Sequence, residues 1–404
     1  MPELRRIRRL PWTAVAPPLA LVVLGLTWGR HLGTALAVGI AVVLIGAVLA
    51  AVHHAEVVAH RVGEPLGSLL LAVAVTVIEV ALIVTLMISG GSNAASLARD
   101  TVFAAVMITT NGIVGASLLI GAVRYGEILF NPEGTGAALA TVVTLSGLSL
   151  ALLTFTTSAP GPEFSPTQLT FAAMASLALY TMFVFMQTGR HREFFLPVTA
   201  AHPRSAARPV ASPVATPVAR PVALAEAGPD TTDPDPASGG GATGTEEHSV
   251  RPTSRAAAVS LGLLLVALVG VVGLAKVESH TIEDAVAAVG APPSFVGVVI
   301  ALLVLLPETL AATRAATRQR VQISLNLAYG SAMASIGLTI PAIAVATVWL
   351  KGPLLLGLGP TQLVLLTLTV FASILTVVPG RATKLQGGVH LVLLAAFVVL
   401  AINP

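Results

Sequence analysis

Long apolar runs separated by short polar breaks recur along the whole 404-residue chain. The strict alternation of a half-buried strand is absent. A run of roughly 17–25 apolar residues is long enough to cross a hydrocarbon core as a helix. Eleven such spans are predicted, near 13–29, 33–52, 66–88, 101–123, 136–157, 168–187, 257–275, 294–313, 324–349, 361–379 and 386–402. Between 189 and 255 the pattern stops, and Pro, Ala, Gly and Ser dominate in ARPVASPVATPVARPVALAEAGPDTTDPDPASGGGATGTEEH. Such a segment has little to bury and reads as an extended tether.

The tether divides the spans six and five. Setting the first span aside leaves five on each side. An odd number per repeat sends the second copy into the membrane upside down, an arrangement found in many secondary transporters. The expected fold is an all-α polytopic membrane protein with about eleven transmembrane helices. One extra N-terminal helix precedes two inverted five-helix repeats. The expected organisation is 1–30 for the basic N-terminus and extra helix and 31–188 for the first repeat. The disordered cytoplasmic linker takes 189–255 and the second repeat 256–404.

Composition agrees: 55% of residues are hydrophobic and 10% charged, the balance of a membrane protein and not of a soluble enzyme. There is no cysteine, so disulfides and thiolate metal sites are excluded and soft-metal chemistry is disfavoured. The basic residues speak of orientation, not of nucleic acid. Of the 22 Lys and Arg, only Arg30, Arg99, Lys276 and Lys351 fall on one side of the predicted topology. The rest, beginning with Arg5, Arg6, Arg8 and Arg9, fall on the other. The positive-inside rule then places the N-terminus and linker in the cytoplasm and the C-terminus outside it, in a multi-pass protein of the cell's inner membrane. The basic start followed by an apolar run reads as a retained first helix, not a signal peptide.

Polar positions inside the apolar runs are few. GEPLGSLLLAVAVTVIEVALIVTLMIS, from Gly63, carries Glu79 about halfway along its helix. GAPPSFVGVVIALLVLLPETLAATRAATRQR, from Gly290, also opens Gly-x-Pro and carries Glu308 at a matching depth. A carboxylate inside a bilayer is costly, so it is rare and commonly functional. By sequence these two are the only deep acids among nineteen Asp and Glu. Alone, either could simply fix helix packing through a hydrogen bond; at matched repeat positions they read as the working centre. Thr76 lies one turn before Glu79. Pro307, just before Glu308, removes a donor and disturbs the carbonyl of Leu303. Asn111 lies inside the following span of the first half. In the second half Gly330 and Ser331 do so, with Ser335 and Asn326 as secondary candidates. Hydroxyls at such places often serve interhelical bonding; a buried amide is more demanding. Glu64 is a further candidate at the cytoplasmic end, and His53-His54-Ala55-Glu56 reads as a solvated face.

These are hard oxygen donors. Ca²⁺ takes six to eight of them in flexible geometry, and Na⁺ or K⁺ accepts a similar set. Glu79 and Glu308 are the expected metal ligands, with protons competing for the same oxygens. The activity this supports is secondary cation/proton antiport, Ca²⁺ export against proton entry first and Na⁺/H⁺ or K⁺/H⁺ exchange as the alternative. A cation channel fits less well, because channels commonly use rings from identical subunits. An enzyme is not expected, since no HExxH, GxSxG or deep histidine is seen. No cofactor is called for. The partners are membrane lipid, inorganic cations and protons; nothing in the chain speaks to oligomeric state.

RVGEPLGSLLLAVAVTVIEVALI and ALLVLLPETLAATRAATRQRVQISLNLAYGSAMASIGLTIP resemble the two signature repeats of bacterial calcium/proton antiporters of the ChaA type, in the cation/calcium exchanger superfamily. The resemblance covers most of the chain beyond the first helix. It implies a ten-helix core of inverted repeats plus one helix, with central glutamates on the second helix of each repeat, here Glu79 and Glu308. It also implies polar groups on the next helix, here Asn111 and Gly330-Ser331. Many relatives carry a Gly-Asn pair just before each glutamate, where this chain reads VTVIE and VLLPE.

Overall fold

Helix starts in this chain are written into the polar breaks. Ser165-Pro166, Asn131-Pro132 and Thr383 each place a side-chain acceptor before the first turn, and Gln168 and Gln386 close capping boxes over the first and third. Such residues satisfy the backbone N–H groups that a helix leaves unpaired at its start. The apolar runs that follow form helices in a computed structural model of the chain. It describes residues 11–30, 33–63, 66–89, 94–189, 191–197, 252–349 and 354–404.

The first half comprises α1 (Trp12–Thr27), α2 (Thr34–Val62), α3 (Leu66–Ser89), α4 (Ala94–Met107), α5 (Val114–Tyr125), α6 (Pro132–Ser146) and α7 (Pro166–Thr188). A π-helical turn, Ile108–Ile113, joins α4 to α5 in one span. The second half comprises α8 (Ser254–Ala288), α9 (Phe295–Val304), α10 (Leu306–Thr317), α11 (Val321–Ala346), α12 (Pro360–Val377) and α13 (Lys384–Ile402). Among the described residues, eight helices are long and apolar enough to cross a membrane. The bent pair α9–α10 makes a ninth span, and the apolar stretches Trp12–Thr27 and Val73–Thr85 are shorter. The protein is therefore an all-helical, multi-pass membrane protein of about eleven spans. Beyond α1, the order α2, α3, α4–α5, α6, α7 is repeated as α8, α9–α10, α11, α12, α13.

Two small pairings tie the halves together. Strand β1 (Ile128–Leu129), between α5 and α6, pairs antiparallel with β2 (Arg381–Ala382), between α12 and α13. Glu163, between α6 and α7, bridges Leu355, between α11 and α12. Exchange the repeats and each pairing maps onto the other, at the opposite ends of the spans.

Between helices, small residues set the contacts. A Cβ on Gly297 of α9 would stand 2.8 Å from the Asp100 and Thr101 backbone of α4, and one on Gly387 of α13 would stand 2.6 Å from that of Leu119 in α5. Such close approach lets dispersion and weak polar contacts hold helices together where lipid removes the hydrophobic drive. Gly270 and Gly273 of α8 meet Ala20 and Leu24 of α1 in the same way. The extra helix therefore seats on α8, while His54 Nε2 in α2 lies 3.0 Å from the Thr13 carbonyl of α1.

Several expectations change. Helices α2 and α8 run well past the ends of their apolar runs, so His53, His54, Glu56, Lys276 and Glu283 stand on helices and not in loops. His54 is buried, against the solvated face expected. Asp100 and Glu278 are buried too, so Glu79 and Glu308 are not alone. Likewise His390, inside α13, is a deep histidine that the sequence reading missed. Hydrophobic runs mark where lipid contact ends; burial is decided by the neighbouring helices. The expected linker is described only at its margins. Of these, Arg192–Phe195 form a 3₁₀ turn with Phe195 buried, edge-on to Phe183 of α7. The rest of the linker, like Glu64, lies outside the described residues.

Candidate functional site

Glu79 stands in the middle of α3, a helix with no break of its own. Its backbone groups are satisfied within the helix, so only the side chain needs a partner. Ser335 of α11 supplies it: the hydroxyl donates to Glu79 Oε1 at 2.5 Å. Glu79 is 4% exposed and Glu308 9%.

Glu308 is held differently. Helix α9 ends at Val304 and is followed by Leu305, whose ψ is near 0°. The chain then turns by 55° into α10. Pro307 falls in the first turn of α10, where its missing N–H costs nothing, and Glu308 follows it. A carboxylate in a first turn faces unpaired backbone N–H groups and the positive end of the helix dipole. The Leu305 carbonyl at the break is used twice by Thr309, through its N–H at 2.9 Å and its hydroxyl at 2.7 Å. Glu308 Oε2 is buried and without a hydrogen-bond partner.

Both carboxylates line one cavity of about 350 Å³. Thr76 of α3 and Asn326, Gly330, Ser331 and Ser335 of α11 line it as well. Helix α7 forms another wall with Tyr180, Phe183, Val184 and Gln187, at i, i+3, i+4 and i+7. None of the lining residues is basic. Two carboxylates, hydroxyls and amides around apolar walls suit a small cation, held through oxygen, or protons on the carboxylates in its place. Among the described residues no cluster of three or more His, Cys, Asp or Glu forms a metal cage.

Sequence-selected residues divide into those that meet here and those that do not. Thr76, Glu79, Glu308, Gly330, Ser331, Ser335 and Asn326 are brought together. Asn326 is also engaged elsewhere, donating to the Phe195 carbonyl at 2.6 Å and accepting from Gln322 at 2.8 Å. Asn111 does not line the cavity. Fully buried in the π-helical turn, it donates to Thr369 of α12 at 2.9 Å, and its carbonyl lies 3.1 Å from His390 Nδ1 of α13. His390 Nε2 in turn lies 3.2 Å from Thr376. The π turn adds a residue to the helical register and so re-aims Asn111. Tyr180 and Gln187 were missed; both lie on an α7 whose apolar run gave no contrast from which to pick a face.

Comparison with known proteins fits this geometry. The family model described as sodium/calcium exchanger protein matches residues 32–189 and 259–403. A putative ionic transporter, y4hA, of Sinorhizobium fredii (strain NBRC 101917 / NGR234) is 40% identical over 97% of this chain and 96% of its own. The sodium-potassium/proton antiporter ChaA of Escherichia coli (strain K12) is 31% identical over 98% of each chain. Among solved structures, native YfkE matches with a TM-score of 0.64 at 14% identity, over 97% of this chain and 99% of that one. The H⁺/Ca²⁺ exchanger CAX matches at 0.60 and 14% identity, over 97% and 93%; these two likenesses concern the fold. The chain belongs to the sodium/calcium exchanger protein family, whose members are secondary transporters and not enzymes.

Proposed function

We propose that this protein is a cation/proton antiporter that exports Ca²⁺ from the cytoplasm in exchange for protons. The observation that carries the reading is the pair Glu79 and Glu308, buried in one cavity with no basic side chain among the described residues of its walls. Removed from water, two carboxylates close together cannot both stay ionised without a cation. Either a divalent cation joins them or protons neutralise them, and the two states exclude each other. Thr76, Ser331 and Ser335 add hydroxyl oxygens of the kind Ca²⁺ accepts. If only the cation-loaded or the protonated site changes face, exchange is obligatory.

The distribution of Lys and Arg supports a cytoplasmic N-terminus and linker and an extracytoplasmic C-terminus, in the inner membrane. On that orientation α7 ends and α11 begins at the cytoplasm. Gln187, Ile323 and Asn326, from those ends, line the cavity, so the Glu79–Glu308 site is approached from the cytoplasm. The family match to 32–189 and 259–403 supports reading 31–188 and 256–404 as the two repeats, 1–30 as an added segment and 189–255 as a connecting tether.

Exchange of Na⁺ or K⁺ for protons is the second reading. The Escherichia coli relative is named for it, and the withdrawal of Asn111 from the cavity leaves fewer neutral ligands for a divalent ion. The experiment is uptake of ⁴⁵Ca²⁺ and of ²²Na⁺ into proteoliposomes under an imposed pH gradient. Gradient-driven ⁴⁵Ca²⁺ uptake without ²²Na⁺ uptake is the expected result; the reverse selects the second reading, and flux of neither ion defeats Ca²⁺ and Na⁺ exchange alike, leaving K⁺/H⁺ exchange to be tested with ⁸⁶Rb⁺ as the tracer.

A further inference from the structure

A second cavity, of about 230 Å³, lies where the inverted repeat puts the partner of the first. Helix α13 walls it with Phe397, Leu400 and Ala401, the i, i+3, i+4 spacing with which Tyr180, Phe183 and Val184 of α7 wall the Glu79–Glu308 cavity; Pro404, past the end of α13, lines it too. Helices α7 and α13 each close their repeat. The first turns of α4 contribute Arg99 and Asp100 to the second cavity, as the first turns of α11 contribute Asn326 and Leu327 to the first. Helices α4 and α11 are the third spans of their repeats, with opposite directions across the membrane. The two cavities are therefore counterparts opening from opposite faces.

The second contains a carboxylate that packing alone does not explain. Asp100 is 4% exposed. Its Oδ1 accepts from Arg99 Nε at 2.8 Å, while its Oδ2 is buried with no partner. An ionised carboxylate has about four acceptor sites, and leaving a buried one unmet is costly. Ser294 and Thr361 bring hydroxyl oxygens to the same cavity, while the Gln362 Oε1 there already accepts the Gly359 N–H at 2.9 Å. Arg99 is not committed to Asp100 alone, because its Nη1 also reaches the Gly357 carbonyl at 3.4 Å.

From this geometry we infer that Asp100 is a cation-receiving site on the extracytoplasmic face, latched by Arg99. The occupant is the transported cation, held through oxygen by Asp100 with hydroxyl help. In this structure Arg99 occupies Asp100. A cation arriving from outside displaces the guanidinium, which keeps the Gly357 carbonyl as its partner. The inference rests on the antiport reading above and adds a second, face-specific station to it.

The test compares right-side-out with everted membrane vesicles, measuring the ⁴⁵Ca²⁺ concentration that half-saturates exchange at each face. Asp100→Asn should raise that concentration in right-side-out vesicles by roughly tenfold, the scale of one charged contact, and leave everted vesicles unchanged. Arg99→Gln should lower it in right-side-out vesicles only. Equal shifts at both faces, or none, in either variant would overturn the inference and leave Asp100 a packing residue. Should Asp100→Asn fail to fold, Arg99→Gln alone decides by the same criterion. Glu79→Gln is run beside them: if it still exchanges at the wild-type rate, the antiport reading has failed. If it is silent while Asp100→Asn acts at both faces alike, only this inference has.

Discussion

Two glutamates at matched places in two repeats are held by opposite means. Glu79 lies on an unbroken helix, and a side chain from the other half, Ser335, fixes it. Glu308 lies just past a break, in a first turn where the backbone itself offers positive potential, and one of its oxygens has no partner. The repeat supplies equivalent positions; it does not supply equivalent surroundings. We read Glu79 as the anchored ligand and Glu308 as the group with acceptor capacity to spare, the one that exchanges a proton for a cation most directly.

The harshest test of that contrast is removal of each charge. Glu79→Gln and Glu308→Gln are expected to insert normally, since a neutral amide is cheaper to bury than a carboxylate, and both should reduce ⁴⁵Ca²⁺/H⁺ exchange to background. The contrast predicts a difference in what remains. In wild type, acidifying the solution facing the cavity should weaken cation binding, because protons occupy the same oxygens. Measured as equilibrium ⁴⁵Ca²⁺ binding to purified protein, Glu308→Gln should flatten that pH dependence most, while Glu79→Gln should keep part of it. Identical profiles would remove the distinction, and near wild-type exchange in either variant would remove the mechanism.

Next in size is the break. Pro307→Ala lets α9 and α10 run on as one helix, which withdraws the first-turn N–H groups from Glu308. Exchange should fall well below wild type with the protein still folded, as judged by size exclusion in detergent. An unchanged rate would mean that the bend is incidental to the site.

Ser335→Ala takes one hydrogen bond from Glu79 and no charge. A bond to a charged group is worth about 1.5–3 kcal/mol, so cation affinity should change by about tenfold or more with proton coupling intact. Loss of coupling would make Ser335 more than an anchor. The smallest effect on transport is expected from Asn111→Ala. That side chain bonds to Thr369 and His390, away from the cavity, so the cost of about 1–3 kcal/mol for orphaned buried partners should appear in thermal stability and not in ⁴⁵Ca²⁺ affinity. A lowered affinity at unchanged stability would return Asn111 to the ion path.

The span count, the inverted order and the two glutamates could be read from the chain because each is a contrast against an apolar background. Glu79 and Glu308 stand out as charges in long runs of Leu, Val and Ala. Asp100 and Glu278 did not, because they sit near the ends of such runs, where sequence cannot distinguish a helix end in water from one covered by a neighbour. Gly297 against Asp100 shows what does the covering: a glycine on another helix almost two hundred positions away. Asn111 was misplaced for a local reason. One π turn shifts the helical face that a regular period would assign, and nothing in ITTNGI announces it. The bend after Leu305 was half legible, since Pro307 signals a kink but not its direction.

The size of the Glu79–Glu308 cavity bears on hydration. At about 350 Å³ it has room for roughly twelve water molecules at ~30 Å³ each, far more than a bare ion fills. A cation can therefore enter with most of its shell and shed water only where the carboxylates replace it. On the antiport reading proposed above, selectivity between ions depends on the last few waters exchanged for Glu79, Glu308 and the hydroxyls beside them, and less on the width of the entrance. Closing the cavity around a bound ion must also expel the remaining water. The rate of turnover should consequently respond to osmotic pressure: excluded solutes that draw water from the cavity should favour the closed, ion-loaded form.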